Sequence, residues 1–107
     1  MRAVWIVIVV GACSSGSVAG DVKDGKAVFA QACSTCHGPT GKPDETMAAK
    51  LGVRDLTAPE FHARATKELV VNQVRRGSAN HIMPSFEGGL TDQQIDAVAA
   101  YVLTLAK

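Results

Sequence analysis

The residues most able to do chemistry are Cys33, Cys36 and His37, which lie together in the stretch "ACSTCHGPTG". Two thiols three positions apart, followed directly by an imidazole, can bind zinc, exchange disulfides, form a structural disulfide or attach a haem. On a helix, Cys36 lies about 60° to one side of Cys33, and His37 lies about 40° to the other. All three side chains would then share one face, where they can reach a single planar group.

The elements that must position this cluster are predicted to be helices. The first helix ends at the cluster and is expected to start at Asp21 or Asp24. A second helix ends at a capping glycine, Gly77, and a third starts with the capping box of Thr91 and Gln94. Their sequences are "DVKDGKAVFAQACSTC", "TKELVVNQVRRG" and "LTDQQIDAVAAYVLTLAK".

Shorter helical turns and loops fill the rest of the chain. "MAAKLG" predicts a short helix closed by Gly52, and the spacing of Thr57 and Glu60 predicts a capping box that starts another. No segment shows the period-two alternation of a strand. We therefore expect an all-α protein with three main helices, short helical turns and long loops. Loops of this length are unusual in a small domain unless they surround a bound group.

The alternatives to haem at the cluster fit the sequence poorly. A structural zinc site needs four ligands, and the other histidines, His62 and His81, are not spaced as zinc ligands. Thioredoxin-like chemistry belongs in a βαβ unit, and a disulfide across two residues closes too short a loop to stabilise much. C-x-x-C-H is the attachment signature of c-type haem, in which the two thiols add to the vinyl groups and the histidine reaches the iron. We predict one covalent haem c on Cys33 and Cys36, with His37 as an axial ligand.

The second axial ligand has four candidates: Met83, His81, Met47 and His62. Electron carriers commonly pair histidine with methionine. Met83 lies in the polar loop "HIMPSF", where Pro84 stiffens the backbone, and such a loop is a poor place for a methionine that only fills a core. Met83 is therefore the predicted ligand, and His81 is its main rival because it lies two residues away.

The order of helix, C-S-T-C-H-G-P, M-P-S-F and "LTDQQIDAVAAYV" resembles that of small, exported bacterial class I cytochromes c with one haem, over residues 21 to 107. The resemblance implies the class I cytochrome c fold, with three main helices and short turns around a covalent haem. In this fold the first and last helices cross. Gly25 and Phe29 would then pack against Val98, Tyr101 and Val102.

The resemblance also implies details of the haem site. The carbonyl of Pro39 would accept a hydrogen bond from His37 and so fix its ring. The predicted domain lacks the tryptophan that contacts a haem propionate in some relatives, and Arg54 and Arg64 are the candidates to replace it.

The predicted function is transfer of one electron between redox proteins. With His37 and Met83 both on the iron, no coordination site is left for a substrate, so we expect no enzyme activity. The alternative is a peroxidase-like or gas-binding haem protein, which would need Met83 to be absent from the iron or easily displaced.

Residues 1–19 have the layout of a signal peptide, with Arg2 before an apolar block too short for the ~20 residues of a transmembrane helix. The predicted domain covers residues 20–107. Ordinary cleavage before Gly20 would discard Cys13, whereas the lipobox-like "VVGAC" would make Cys13 a lipidated N-terminus. The second interpretation is favoured because it accounts for the third cysteine. In either case we expect a periplasmic protein, which is soluble after cleavage before Gly20 or anchored to a membrane surface through Cys13.

The balance of positive and negative charge limits the classes of partner that the predicted domain is expected to bind. Of the 11 Lys and Arg residues only Arg2 lies in the predicted signal peptide, which leaves ten basic residues against ten acidic ones. A domain this close to neutral is not expected to bind nucleic acid. We expect a monomer whose partners are redox proteins.

Overall fold

The computed structural model describes residues 23–106, and this part of the chain is helical. Its only strand-like pairing is an isolated bridge between Glu87 and Leu90, so the all-α prediction is confirmed. No described helix is both long and apolar enough to cross a membrane. The helices, in chain order, are α1 (Gly25–Ala32), α2 (Ser34–His37), α3 (Glu45–Leu51), α4 (Pro59–Arg64), α5 (Lys67–Arg76) and α6 (Asp92–Val102).

Helices α1 and α6 cross in close contact at Gly25. A Cβ atom placed on this buried glycine would overlap the main-chain carbonyl of Ala97 and lie 2.9 Å from the Cβ of Tyr101. One turn later, the rings of Phe29 and Tyr101 pack with their centroids 5.5 Å apart. The predicted contact between the first and last helices is confirmed.

The hydrophobic core joins this crossing to α5 and to the loops. Val70 and Val74 of α5 are buried in the same cluster as Val28 and Phe29 of α1. The other buried apolar members of this cluster are Leu56, Phe86, Leu90, Ile95, Val98, Ala99 and Val102. The three main helices thus form one core, and the loop residues close it.

The helix ends follow the predicted caps with some exceptions. Asp24 caps α1 through the N–H of Lys26, and Thr91 and Gln94 form the predicted capping box of α6. The capping box of Thr57 and Glu60 was a wrong prediction, because α4 begins after Ala58 without a side-chain cap.

Two helices are shorter than predicted. The first breaks at Cys33, whose φ and ψ of −118° and −33° separate α1 from α2. The last ends at Val102 instead of continuing to the end of its apolar pattern.

The predicted signal peptide and lipidated Cys13 lie outside the described residues, so they stay predictions.

We predict that Gly25→Ala lowers the free energy of unfolding by about 3 kcal/mol, because the added methyl group meets main chain that cannot rotate away. Gly52→Ala is the matched control. Gly52 has a φ of 65° but open space around the position of a Cβ, so that variant should lose only about 1 kcal/mol. Guanidinium unfolding of the holoproteins measures both, and equal losses would contradict the close contact of α1 with α6.

Candidate functional site

A cavity of about 630 Å³ lies between α1, α5, α6 and the loops. Pockets that hold cofactors typically measure about 300–1,000 Å³. Cys33, Cys36, His37 and Met83 all line it. Most of the remaining wall is apolar, and includes Phe29, Leu56, Phe61, Val70, Val74, Phe86, Val98 and Val102. The four side chains predicted to attach the haem or ligate its iron therefore meet in one largely apolar cavity.

The two cysteines are half-buried and form no disulfide. Burial raises the pKa of the Cys33 thiol to about 11, and the neighbouring Cys36 contributes a smaller increase. Thiol–disulfide exchange needs a thiolate, and cysteines that perform it have lowered pKa values. The shift at Cys33 has the opposite sign, which argues against a redox-active dithiol.

His37 is held by a main-chain carbonyl. Its Nδ1 lies 3.1 Å from the carbonyl oxygen of Arg54. Burial lowers the pKa of His37, and the hydrogen bond to Arg54 opposes this shift only in part. The neutral ring donates its Nδ1–H to Arg54, so the lone pair of Nε2 is free to bind a metal.

The prediction for the Pro39 carbonyl is corrected by this contact. Pro39 is exposed and follows Gly38, whose φ of 81° turns the chain away after His37. Arg54 is distant in sequence, but the N–H of Leu56 donates to the carbonyl of Gly41 at 2.8 Å and brings this segment back to the motif.

The segment that presents the Arg54 carbonyl is itself fixed on two sides. His62 Nε2–H donates to the carbonyl oxygen of Leu56 at 2.6 Å. The carboxylate oxygen Oδ1 of Asp55 accepts the N–H of Thr57 at 2.8 Å and its hydroxyl at 2.6 Å. The position of His37 therefore depends on side chains that do not line the cavity.

Met83 is the one of the four axial candidates that lines the cavity along with His37. His81 is exposed and has a φ of 62°, and His62 is engaged with Leu56. Met47 is half-buried on α3 and is not part of the cavity wall. The geometry thus favours Met83 over its three rivals.

The loop of Met83 is attached to the C-terminal end of α5. The last carbonyls of a helix lack partners within it. Here the N–H of Phe86 donates to the carbonyl of Val74 at 3.0 Å, and the Ser85 hydroxyl donates to the carbonyl of Arg75. The unpaired end of α5 therefore anchors the segment that follows Met83.

Sequence reasoning missed the residues that position the two candidate ligands. A carbonyl such as that of Arg54 carries no residue-type signal, because every residue has one. The sequence offers His62 only as a candidate ligand, whereas in the structure it donates a hydrogen bond to Leu56. Ser78, which contacts Met83, follows a capping glycine, and nothing in the sequence distinguishes it from other serines.

The donor set fits a c-type haem: two thiols, a neutral imidazole with its Nε2 free, a thioether and apolar walls. A family model described as cytochrome c oxidase, cbb3-type, subunit III matches residues 20–102. The chain belongs to this cytochrome c family. It is a small class I cytochrome c, an electron-transfer protein with one covalently bound haem c.

Curated relatives and solved structures agree with the family. Cytochrome c6 of Thermosynechococcus vestitus is 37% identical over 90 residues, which cover 84% of this chain and 75% of that protein. Cytochrome c6 of a Nostoc species is 33% identical over 110 residues, covering 96% and 93%. The solved structure of the KustC0563 c-type cytochrome superimposes with a TM-score of 0.71 at 30% identity, over 78% of this chain and 99% of that one.

We predict that His62→Leu lowers the free energy of unfolding of this cytochrome by about 1–2 kcal/mol, because it leaves the carbonyl of Leu56 without its donor. His81→Asn is the control, since His81 is exposed and asparagine tolerates its positive φ. That variant should change stability by less than about 0.5 kcal/mol. Denaturant unfolding would contradict the prediction if the two variants behaved alike.

Proposed function

We propose that this class I cytochrome c carries one electron between redox proteins on a haem attached through Cys33 and Cys36 and ligated by His37 and Met83. The observation that carries the proposal is that all four side chains line one cavity with largely apolar walls. When bound, the haem supplies an iron centre that takes up and releases one electron.

Each residue has a separate role in this proposal. The thiols of Cys33 and Cys36 form thioether bonds that keep the haem on the protein. His37 presents Nε2 because Arg54 accepts its Nδ1–H. Met83 contributes a neutral thioether, which favours the ferrous state, and the apolar walls exclude water, so the reduction potential should be positive.

A carrier without enzyme activity is the better supported of two functions. His37 and Met83 together would fill both axial positions, so no substrate could reach the iron. The main chain of Met83 is held by Ser78, and the chain after it by α5. A peroxidase-like or gas-binding protein would need a position that opens easily, and a methionine loop fixed in this way opposes that.

Arg54 and Arg64 are proposed to balance the haem propionates. Among the described residues that line the cavity they alone carry permanent charge. Propionates are carboxylates, and a guanidinium binds carboxylates through paired hydrogen bonds. These arginines would therefore orient the haem in a domain that lacks tryptophan within its described part.

The rim of the cavity supports a redox protein as the partner. The exposed large apolar side chains of the described chain, Leu51, Leu69 and Ile82, all belong to the cavity wall. Apolar residues grouped at an opening are typical of protein-binding surfaces. Since the predicted domain has ten basic and ten acidic residues, apolar contact would contribute more to docking than long-range electrostatics.

Export is proposed from residues 1–19, whose layout is that of a signal peptide. The cytochrome would work in the periplasm as a monomer. Cleavage before Gly20 gives a soluble protein, and lipidation of Cys13 gives one held at a membrane surface.

The absorption spectrum of the ferric holoprotein tests the proposed ligands. We expect a six-coordinate, low-spin spectrum with the charge-transfer band of methionine bound to ferric iron. Met83→Ala should abolish the band, lower the reduction potential and open the iron to added ligands, while Met47→Ala should leave all three unchanged. Denatured protein should retain its haem, since the thioether bonds survive unfolding.

Three outcomes would contradict the proposal in distinct ways. A Met83→Ala spectrum identical to that of the wild type would remove Met83 as the ligand. A high-spin wild-type spectrum that shifts with carbon monoxide or peroxide would favour the gas-binding or peroxidase-like function. Loss of haem on denaturation would exclude attachment through Cys33 and Cys36.

We predict that Cys13→Ala moves the protein from the membrane fraction to the soluble periplasmic fraction, because it removes the only lipidation site of the lipobox-like sequence. Subcellular fractionation and the mass of the mature N-terminus measure the change. The matched control is Ser14→Ala, which should fractionate like the wild type. If the wild type is already soluble and begins at Gly20, the lipoprotein interpretation is wrong.

A further inference from the structure

Ser78 contacts both main-chain polar groups of Met83. The N–H of Met83 donates to the Ser78 hydroxyl oxygen at 3.0 Å. The N–H of Ser78 donates to the carbonyl oxygen of Met83, also at 3.0 Å. These two hydrogen bonds close the loop from Ser78 to Met83, so the backbone of the proposed axial ligand is attached to one residue at two points.

The Ser78 hydroxyl is itself oriented by Asn80. It donates to the side-chain oxygen of Asn80 at 2.6 Å, and this oxygen also accepts the N–H of Ile82 at 3.1 Å. A hydroxyl has one proton. Because the proton is committed to Asn80, a lone pair of the Ser78 oxygen is left for the Met83 N–H.

The base of the loop is fixed to α5. The carbonyl of Gly77 accepts a hydrogen bond from the side chain of Gln73 at 2.7 Å. A Cβ on Gly77 would overlap the Met83 carbonyl and lie 2.8 Å from the carbonyl carbon of Pro84. Gly77, the neighbour of Ser78, is therefore attached to α5. Through this attachment the hydrogen bonds between Ser78 and Met83 hold Met83 to a helix of the core as well as to its own loop.

We infer that Ser78 is a positioning residue for Met83, and that its hydroxyl keeps the thioether on the haem iron and sets how often the iron becomes open to other ligands. The inference rests on the proposed ligation by Met83. A neutral thioether is a soft and weak ligand for ferric iron. The fraction of molecules with Met83 off the iron therefore depends on how firmly the backbone holds the side chain in place.

The physical consequence of losing the hydroxyl follows from the half-buried surroundings of Met83. Without Ser78 Oγ, the Met83 N–H has no partner while the ligated loop conformation is kept, and it finds water when the loop opens. An unpaired amide of this kind costs enough to change an equilibrium by roughly five- to thirtyfold. The open conformation should become more populated by that factor.

Binding of imidazole to the ferric holoprotein measures this population. Imidazole binds only molecules in which Met83 has left the iron, so the apparent Kd is inversely proportional to the open fraction. Ser78→Ala should bind imidazole about five- to thirtyfold more tightly than the wild type. Ser78→Thr, which keeps the hydroxyl, should restore an affinity near that of the wild type.

Ser85→Ala is the matched control, because this exposed hydroxyl does not contact Met83, and water can take its place on the Arg75 carbonyl while Phe86 still attaches the loop to Val74. Its imidazole affinity should stay within about twofold of the wild type. If Ser85→Ala and Ser78→Ala tighten binding equally, general loosening of the loop is responsible, and the specific role of Ser78 is wrong. The inference also fails if Ser78→Ala binds imidazole like the wild type.

Failure of the ligand assignment is distinguishable from failure of the Ser78 role. If the wild type lacks the methionine–iron band, the proposed function fails first. If the band is present and imidazole binding ignores Ser78, only the positioning role fails. Should Ser78→Ala not fold, Asn80→Ala replaces it: it frees the Ser78 hydroxyl to rotate, and tightening of imidazole binding supports the role while unchanged binding overturns it.

Discussion

The close contact between α1 and α6 at Gly25 is the constraint on which the rest of the structure depends. The main chain of Ala97 occupies the space of a side chain at this position, so the two helices approach as near as backbones allow. The approach buries Phe29 beside Tyr101 and places the end of α1, and with it Cys33, against the cavity. A wider spacing at Gly25 would move the cysteine–histidine motif relative to the core that forms the opposite wall.

The two proposed axial ligands are held mainly through main-chain groups. His37 is oriented by the carbonyl of Arg54, and Met83 through its own N–H and carbonyl. Both of the loops that supply these main-chain groups are closed by hydrogen bonds, which fix the positions of the groups. His62 and Asp55 fix one segment, and Ser78 fixes the other. The long loops are therefore specific parts of the site, although they contain little regular structure.

The pKa shifts of the groups in the cavity agree with an apolar site for a haem. Burial lowers the pKa of His37 and raises that of the Cys33 thiol, so both groups are neutral before the haem is attached. An apolar cavity favours neutral groups because it solvates charge poorly. The same property would favour the less charged ferrous state of a bound haem, in agreement with a neutral thioether as the second ligand. Arg54 and Arg64 place positive charge in the wall, which agrees with their proposed pairing with the haem propionates.

The sequence by itself determined the type of chemistry and most of the elements. The spacing of Cys33, Cys36 and His37 is the attachment signature of c-type haem. Helix caps such as Thr91 with Gln94 depend on neighbouring residues, which a sequence displays directly. Only the tertiary structure decided which groups hold the proposed axial ligands. The carbonyl of Arg54, and not that of Pro39, accepts the hydrogen bond from His37. His62 is a donor to the Leu56 carbonyl and not a ligand, and the first helix ends before Cys33. Carbonyls carry no residue-type signal, and contacts across loops depend on how far the chain turns back, which is set by packing and not by local sequence.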